Sequence, residues 1–549
     1  MATLAAKAAP WAAKATPWVV QLQEGTNIDQ FARNHGLLYK GPLKSLASEG
    51  YHLFESLPTN KRSVQHMDRA LEADNQALWA ERQVARKQYT RAAGDPLYSQ
   101  QWHLHGNQAA SMHTERDTHT GRGVTIGIVD DGLQTGHAEI RANWDRVNSY
   151  DFNDHDTDPN PRPGSGHGTS AAAVAAGVEN NGHCGKGVAP GAKIVGLRTI
   201  GGPVTDYEES MALSHAPDIV DIYSCSWGPY DSGDDMQGPG HLTQTVLANM
   251  AGKQRGRMGK GSIYVWASGN GRENKDSCAY DGYAGSEYVL AIGAVNHVGV
   301  RSWYSEGCAN LFAVAPSSGA GRGIVTADLQ GSDGYEYGEC TSHFGGTSSA
   351  TPAAAGAIAR ILEKHPEFTV RDVKHVIAKG ATHMLADKEC KNAAPGTPCH
   401  SNAYGFGLLR FPELMRAADA HQLVPPERVA LSGRTSGSPF GQRETTIRIL
   451  MQHCPLSTIE HVVLDISLRF ARRGDVTIVL LSPNGTRSVL ATQHPDSHRD
   501  YPMGGWSFSS VHFWGQQQCQ GTWQLKVHNA GLSRAGGRVD WVQLKVKGY

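Results

Sequence analysis

The chain has almost no net charge and no long apolar run. Its 549 residues include 51 Lys and Arg against 52 Asp and Glu, which gives a formal charge of −1. This balance gives no electrostatic reason to expect a nucleic acid or an anionic membrane as a partner. A membrane span needs about 20 consecutive apolar residues, and no uncharged apolar run approaches that length. We therefore expect no membrane span in this chain.

The N-terminal segment 1–17 lacks the apolar core of a signal peptide. It is rich in alanine, but Lys7, Pro10 and Lys14 interrupt it. If the protein enters the secretory pathway, either a longer precursor begins before this segment or export follows another route.

Cysteine is absent before Cys184, and the nine cysteines of the chain show no paired Cys-x-x-Cys spacing. This pattern argues against a zinc site and favours a secreted protein with disulfide bonds. The odd number leaves one thiol over. Cys225 is the candidate, because the apolar run around it predicts a buried strand and free cysteine commonly packs as a small apolar side chain.

The length and composition predict a globular protein of several domains. Hydrophobic residues make up 39% and charged residues 19% of the chain, and 549 residues exceed what one core usually holds. Residues 1–91 are cysteine-free and are predicted to form a helix-rich unit, for which we expect a small α+β fold and the role of a detachable pro-segment. The other two domains are predicted at 92–422 and 428–549, separated by a proline-containing hinge.

The two larger domains differ in their strand pattern. In 92–422, apolar strands alternate with alanine-rich helices, which predicts an α/β domain with a mainly parallel sheet and helices on both faces. In 428–549, short alternating strands and turns predict a β-sandwich. The expected strands lie at 124–129, 194–197, 219–223, 262–267, 289–294, 462–469 and 476–481.

Three motifs in the central domain supply a serine, a histidine and an aspartate. Asp130 ends an apolar strand, where open α/β sheets place functional groups. His167 lies in Gly-His-Gly-Thr-Ser at the start of an alanine-rich helix, and Ser348 follows two glycines at the start of another. A serine hydroxyl needs an imidazole to take its proton and a carboxylate to orient that imidazole. The order Asp, His, Ser is that of subtilisin.

Asn270, in Ala-Ser-Gly-Asn-Gly after a further strand, can donate its side-chain N–H to an oxyanion. Each motif alone is weak evidence, since Asp-Gly often marks a turn and Gly-Thr-Ser often caps a helix. Four motifs in the correct order within one α/β domain make coincidence improbable.

The chain resembles the furin/kexin-like proprotein convertases of the subtilase superfamily over nearly its whole length. The resemblance rests on Tyr-Ser-Cys-Ser-Trp-Gly-Pro at 223–229, Asp-Ser-Cys-Ala-Tyr-Asp-Gly-Tyr at 276–283 and Trp-Tyr-Ser-Glu at 303–306. Arg-Arg-Gly-Asp at 472–475 and Ser-Pro-Asn-Gly-Thr at 482–486 resemble the P domain of these enzymes. The resemblance implies a calcium-dependent serine endoprotease that is made as a zymogen, acts in the secretory pathway and cuts protein precursors after basic residues.

The resemblance also assigns the residues that bind the substrate. Asp231 and Asp281 would form the acidic base of the first pocket, because a desolvated guanidinium needs a charged partner. Two acids of the family's upstream pockets are missing: Gly164 and Gln237 stand in their places. We therefore hypothesise that the enzyme requires Arg immediately before the cut and depends less strongly on a second basic residue further upstream in the substrate. The remaining residues assigned to substrate binding are Asp131, Glu209, Ser226, Trp227 and Gly228.

Maturation by self-cleavage after Arg91 is expected, with a second, internal cut after Arg62. The second and fourth residues before the Arg91 cut are Thr90 and Gln88, which are not basic. This fits the looser demand for upstream basic residues.

Three calcium sites are implied by the resemblance, since hard cations need clustered oxygen ligands. The first site is an acidic loop with the ligands Asp151, Asp156 and Asp158. The second would hold the first pocket in shape, with the ligands Asp231, Asp276 and Glu306. In the third, Glu139 replaces the family's usual aspartate, and the other ligands are Asp95, Asn181 and the backbone carbonyls of Val178, His183 and Gly185.

Family positions suggest the disulfides Cys184–Cys340 and Cys278–Cys308. Pairing of Cys390 with Cys399 and of Cys454 with Cys519 is a further hypothesis. Asn484 lies in an Asn-Gly-Thr acceptor sequence for glycosylation.

The expected partners are protein precursors with basic cleavage sites and the chain's own pro-segment as inhibitor, and the enzyme is expected to act as a monomer. Two other functions stay open. A degradative subtilisin of broad specificity would not need Asp231, Asp281 or the C-terminal domain. A pseudoprotease that only binds basic proteins would not need an intact triad.

Overall fold

The computed structural model describes residues 16–44, 46–56, 67, 69–83, 94–105, 108–112, 114, 118–390, 398–494, 499–501, 504–531 and 535–549. Its backbone divides into two compact units, Met1–Arg91 and Ala92–Tyr549. Within the described parts of the chain, no helix is both long enough and apolar enough to cross a membrane.

The first unit is a four-stranded antiparallel sheet with one helix. The strand order is β2-β3-β1-β4. Trp18, Val20 and Leu22 alternate along the first strand and pack with Phe31 of the helix and Phe54 into one core. A sheet and not helices makes up most of the described part of this unit. The reason is that apolar residues at every second position of the strands are buried, and this pattern outweighs the helix-forming composition of the segment. The elements are β1 Thr16–Leu22, α1 Ile28–Asn34, β2 Leu37–Pro42, β3 Tyr51–Ser56 and β4 Ala77–Arg82.

The second unit begins with an α/β domain built on a seven-stranded parallel sheet of order β11-β10-β9-β8-β5-β7-β6. An antiparallel hairpin, β12–β13, packs beside it. The strands are β5 Thr125–Asp130, β6 Tyr150–Asp151, β7 Lys193–Arg198, β8 Ile222–Cys225, β9 Ile263–Ala267, β10 Val289–Val295, β11 Leu311–Pro316, β12 Ile324–Gly331 and β13 Gly338–Phe344.

Helices cover this sheet, and an alanine-rich helix that begins at Thr347 is buried along most of its length. Small side chains let this helix approach the sheet closely. The helices are α2 Ala138–Arg141, α3 His167–Ala176, α4 Asp206–Ala212, α5 His241–Leu247, α6 Thr347–Lys364, α7 Val370–Gly380 and α8 Phe411–Asp419.

The C-terminal part of the second unit is a β-sandwich of two antiparallel sheets. One has the order β14-β23-β18-β21, with β15 and β16 also paired to β23, and the other has the order β17-β22-β19-β20. The strands are β14 Arg428–Leu431, β15 Thr435–Ser436, β16 Pro439–Phe440, β17 Thr445–Met451, β18 Ile459–Arg469, β19 Val476–Leu481, β20 Arg487–Ala491, β21 Trp506–Ser510, β22 Gly521–Asn529 and β23 Gly537–Gly548.

Disulfide bonds occur in both domains of the second unit. Cys225 on β8 is a buried free thiol, as its apolar surroundings in the sequence predict. The structure joins Cys184 to Cys340, Cys278 to Cys308, Cys390 to Cys399 and Cys454 to Cys519.

A buried charge network joins the α/β domain to the sandwich. Arg371 on α7 donates two hydrogen bonds to the carboxylate of Glu460 on β18, of 2.9 and 2.7 Å. His375, one turn further along α7, lies 2.8 Å from the same carboxylate. Glu460 is 3% exposed, so removing it would leave two buried basic groups without their partner.

Replacing Glu460 with alanine should therefore lower the free energy of unfolding of the second unit by about 3–5 kcal/mol, the usual cost of a buried charge that loses its partner. Denaturant unfolding followed by tryptophan fluorescence measures this change. Glu444→Ala is the matched control, since Glu444 pairs with Lys526 at the surface and should cost less than about 1 kcal/mol. Equal costs for the two variants would contradict the prediction.

Candidate active site

Asp130 and His167 form a hydrogen-bonded pair at the carboxyl end of the central strand. Asp130 is the last residue of β5, and His167 is the first residue of α3. The distance between His167 Nδ1 and Asp130 Oδ1 is 2.8 Å, and Asp130 is 1% exposed. This contact fixes the proton on Nδ1 and leaves Nε2 as the acceptor.

The charge around His167 favours its protonated form. Burial lowers the pKa of His167, but the charge and hydrogen bond of Asp130 and the charge of Asp131 outweigh burial and raise that pKa to about 9. The imidazole therefore becomes a free base only as the pH rises towards this value.

Asp131 caps the helix that carries His167. Its carboxylate accepts the backbone N–H groups of His167 at 3.2 Å and Gly168 at 2.8 Å. Burial and the neighbouring Asp130 raise the pKa of Asp131 to about 6, although these hydrogen bonds oppose the rise. The capping role was not part of the sequence prediction. Two features of the sequence could have indicated it: an acid directly follows Asp130, and a helix is predicted to begin at His167.

Ser348 lies in the first turn of α6, after Gly346 with φ at +71°, a backbone conformation that favours glycine. Its hydroxyl donates to the carbonyl of Ser226 at 3.4 Å, and the hydroxyl of Ser226 donates to the carbonyl of Ser348 at 3.1 Å. These contacts tie the serine to the end of β8. Phe344, four residues earlier, packs edge-on against His167 with ring centroids 5.5 Å apart.

Asn270 is anchored beside Ser348. Its side-chain oxygen accepts the N–H of Thr347 at 2.8 Å and the hydroxyl of Thr347 at 3.1 Å. Its backbone N–H donates to Asp231 at 2.9 Å. With the side-chain oxygen engaged by the neighbour of the serine, the amide N–H groups are the donors suited to an oxyanion.

Asp281 lies against the backbone of Gly228. Its carboxylate accepts the N–H groups of Tyr283 at 2.7 Å and Ala284 at 3.2 Å. A Cβ atom at Gly228 would lie only 2.9 Å from the other carboxylate oxygen. Burial, together with the charges of Asp231 and Asp276, raises the pKa of Asp281 to about 7. A cation at this position would favour the ionised form.

Three aromatic rings form the wall behind this pocket. Trp227 donates to the carbonyl of Val129 at 2.9 Å, and Trp266 donates to the carbonyl of Trp227 at 2.6 Å. Tyr283 stacks on Trp266 and donates its hydroxyl to Glu209 at 2.7 Å. Tyr283 thus holds two of the predicted acids, Asp281 through its backbone and Glu209 through its side chain. Its place in the motif Asp-Gly-Tyr was the only sequence signal for this role.

Asp231, Asp276 and Glu306 bring three carboxylates together, with oxygens within 4.8 Å of one another. Burial and the other two carboxylates raise the pKa of Glu306 well above its usual range, and burial raises that of Asp276 to about 6. This donor set fits a hard divalent cation, whose charge would let the three groups ionise together.

Asp95, Glu139 and Asn181 also lie together. The carboxylate of Asp95 accepts the backbone N–H groups of residues 180–182, and Asn181 donates to Glu139 at 3.1 Å. Burial raises the pKa of Glu139 to about 8, with Asp95 contributing. The side chains predicted for this calcium site are therefore in one hydrogen-bonded group. Of the predicted backbone ligands, Val178 is adjacent, since its N–H donates to the Glu139 carbonyl.

The acidic loop predicted to bind calcium contains an ion pair. Asp151 is buried and paired with the guanidinium of Arg198, which also donates to Asp154 at 2.7 Å. Asp156 and Asp158 do not join Asp151 in a group of carboxylates within 4.8 Å, as far as the described residues extend. Arg198, at the end of β7, pairs with Asp151 and Asp154, and calcium binding by Asp151, Asp156 and Asp158 stays a prediction. The motif itself does not contain this arginine.

The remaining predicted residues lie outside the pocket. Asn484 is exposed on the turn between β19 and β20, a position open to glycosylation. The cleavage sites predicted after Arg91 and Arg62 fall outside the described residues. His183 lies 2.6 Å from Glu339 through its imidazole, and Gly185 packs against Gln101.

Three family models match the chain in order. The Peptidase S8 pro-domain matches residues 17–91, the Subtilase family matches 121–407, and the Proprotein convertase P-domain matches 459–546. Among solved structures, the serine protease of Aeromonas sobria superposes with a TM-score of 0.73 at 23% identity and covers 83% of this chain and 96% of its own. This likeness shows the fold.

Curated relatives carry the comparison further. Furin of Bos taurus is 34% identical over 542 residues, which cover 95% of this chain and 66% of furin. Endoprotease bli-4 of Caenorhabditis elegans is 36% identical over 505 residues, covering 88% of this chain and 52% of bli-4. The chain thus spans about two thirds or less of the length of these relatives. By its three matched domains and these relatives, the chain belongs to the subtilase family, in the furin-like proprotein convertase branch.

Proposed function

We propose that this chain is a calcium-dependent serine endoprotease that cleaves protein precursors after Arg. Ser348 attacks the scissile carbonyl while His167 takes its proton at Nε2. Asp130 holds the imidazole, and Asn270 donates to the oxyanion. His167 then gives the proton to the leaving amine, and a water molecule releases the acyl group by the same steps in reverse.

The half-buried carboxylate of Asp281 against Gly228 is the observation that supports the preference for Arg. The missing side chain at Gly228 leaves the carboxylate uncovered on one side, and the pKa of about 7 reflects burial among other acids. A guanidinium placed there would pair with an already desolvated carboxylate, so no new desolvation of that group is needed. An apolar side chain would leave it unpaired.

The upstream pockets support a looser preference. Gly164 has φ at +80°, so the family's acid would be strained at that position. Asp131 is engaged by the N–H groups of the His167 helix, and Glu209 by Tyr283. A second basic residue in the substrate would share these carboxylates with existing donors.

The pro-segment and calcium complete the proposal. The pro-domain supports a zymogen that is cut after Arg91 and inhibited by the released segment until it dissociates. Precursors in the secretory pathway are the substrates that the furin relatives suggest. Asp231, Asp276 and Glu306 would hold one calcium ion, which supplies the positive charge that the wall of the first pocket lacks.

A peptide with Arg-Thr-Lys-Arg before a fluorogenic amide should be cleaved, and an apolar counterpart should not. Asp281→Asn should lower kcat/KM for the Arg peptide by on the order of 100-fold, since a desolvated ion pair is lost. Ser348→Ala should lower it by on the order of a million-fold. Asp145→Asn, in a surface loop where Asp145 accepts N–H groups of residues 147 and 148, is the control and should leave the rate unchanged.

The two open alternatives give different results in this assay. Equal cleavage of the apolar peptide would indicate a degradative protease of broad specificity. Absence of cleavage after complete removal of the pro-segment would indicate a pseudoprotease that only binds.

Replacing the second or the fourth residue before the cut with alanine should reduce kcat/KM by less than about tenfold each. The reason is that their acidic partners here are already hydrogen-bonded or absent, and partly exposed ion pairs contribute about 1 kcal/mol or less. Replacing Arg at the cut should cost far more. A loss above about 100-fold at either upstream position would contradict the looser preference.

Calcium should bind the wild-type chain and raise its melting temperature, because a ligand that binds only the folded state stabilises it. Glu306→Gln should remove one site from the stoichiometry measured by calorimetric titration, whereas Glu413→Gln, at a half-buried residue that pairs with Arg416, should not. The pKa of Asp276 is raised to about 6, so protons compete for this site as the pH falls through 6 and the calcium affinity falls with it. An unchanged stoichiometry in Glu306→Gln would contradict the assignment.

A further inference from the structure

The β12–β13 hairpin folds its tip back onto a buried acid. The tip comprises residues 332–337, between the two strands. Asp328 on β12 is fully buried and accepts the N–H of Glu336 in the tip at 2.8 Å. A Cβ atom at Gly334 would lie 2.3 Å from the Asp328 carboxylate. Only glycine allows the tip to approach this closely.

Glu336 fastens the tip to the following strand. One oxygen of its carboxylate accepts the hydroxyl of Thr341 at 2.7 Å and the N–H of Ser342 at 3.1 Å, and it lies 2.6 Å from His343 Nδ1. The tip is therefore held at both Asp328 and β13, and its neighbouring side chains have defined positions.

The hairpin stands on the His167 side of the active site. Ser170 on α3 donates to the carbonyl of Ala327 on β12 at 2.8 Å. Phe344, at the end of β13, packs edge-on against His167, and Tyr335 in the tip has its ring centroid 6.3 Å from that of Phe344. Tyr335 is thus one ring removed from the catalytic imidazole, and it is 56% exposed.

Tyr335 also lies in a negative field. Partial burial and the charges of Asp131, Asp130 and Asp328 raise the pKa of its hydroxyl. An aromatic face near carboxylates attracts a cationic side chain and disfavours an acidic one.

The role of His167 in the proposed reaction indicates which part of a substrate lies near the hairpin. His167 protonates the leaving amine, so the chain after the cut departs along the imidazole. Phe344 lies against the imidazole on the hairpin side, and Tyr335 lies beyond Phe344, so departing residues on this side would meet these two rings in turn.

We propose that Tyr335 is a specificity-determining residue for the segment after the cut, where its ring receives a side chain from one of the first two downstream residues and favours a basic over an acidic one. This inference rests on the proposed endoprotease function.

The test uses two kinds of substrate. Internally quenched peptides share the sequence before the cut and carry Arg, Ala or Glu at the first or the second position after it. A short peptide amide with a coumarin leaving group has no residues after the cut. The variants are Tyr335→Ala and Tyr335→Phe, with Tyr337→Ala as control, because Tyr337 lies in the same tip and is 92% exposed.

The wild type should prefer downstream Arg to Glu by about fivefold, the upper end of what an exposed cation–aromatic contact contributes. Tyr335→Ala should bring this ratio to within about twofold of one, mainly through KM. It should leave the short amide unchanged, whereas Tyr335→Phe and Tyr337→Ala should behave like the wild type.

Two results would overturn the inference. One is a ratio unchanged in Tyr335→Ala, and the other is an equal loss on the short amide and the long peptides, which would place Tyr335 in support of His167 instead. The short amide carries no amino-acid side chain after the cut, so failure of the wild type to cleave it would refute the proposed function itself, and the inference with it.

Discussion

Repulsion among four carboxylates, one buried and three half-buried, is the constraint on which the candidate active site depends. Asp231, Asp276, Asp281 and Glu306 all have raised pKa values, because each is at least partly removed from water and most lie near one another. Such groups must take up protons or share a cation. Asp231 accepts the N–H of Asn270, and Glu306 accepts that of Gly271. These acids therefore also position Asn270, so that in the proposed function the binding of the substrate and the stabilisation of the oxyanion would share one electrostatic support.

The C-terminal sandwich reinforces the same wall. Trp506 donates to the carbonyl of Ala279 at 3.0 Å, and Tyr280 donates to the carbonyl of Thr492 at 3.3 Å. Arg473 of the sandwich donates to the carbonyl of Asp234. Residues 234 and 279–280 flank the acids of the first pocket in sequence, which explains why a domain without catalytic residues is part of the same compact unit. Loss of the sandwich would free these loops and expose the buried charges to rearrangement.

The sequence predicted what local motifs encode. Asp130, His167 and Ser348 each follow a strand or begin a helix, and the structure places them at those positions. Contacts between distant segments escaped prediction: Arg198 neutralises Asp151 across two strand ends, and Gly334 meets Asp328 only because the hairpin folds back. The strand expected at 219–223 begins instead at Ile222, since Ile219 is 48% exposed and belongs to the preceding turn. An apolar residue does not reveal by itself whether its neighbours will bury it.

Asp131 shows how one carboxylate can limit both catalysis and specificity. It caps the helix of His167, a contact of about 1 kcal/mol in typical helices, and its charge helps to raise the pKa of that imidazole. A basic substrate residue that approached Asp131 would compete with the capping N–H groups and, by offsetting the negative charge, would lower the pKa of His167. Substrate binding would then favour the free base that catalysis requires. The substrate would gain little affinity from Asp131, because this carboxylate already accepts two backbone hydrogen bonds. The relative gain in unprotonated His167 would become larger as the pH falls below the pKa of His167.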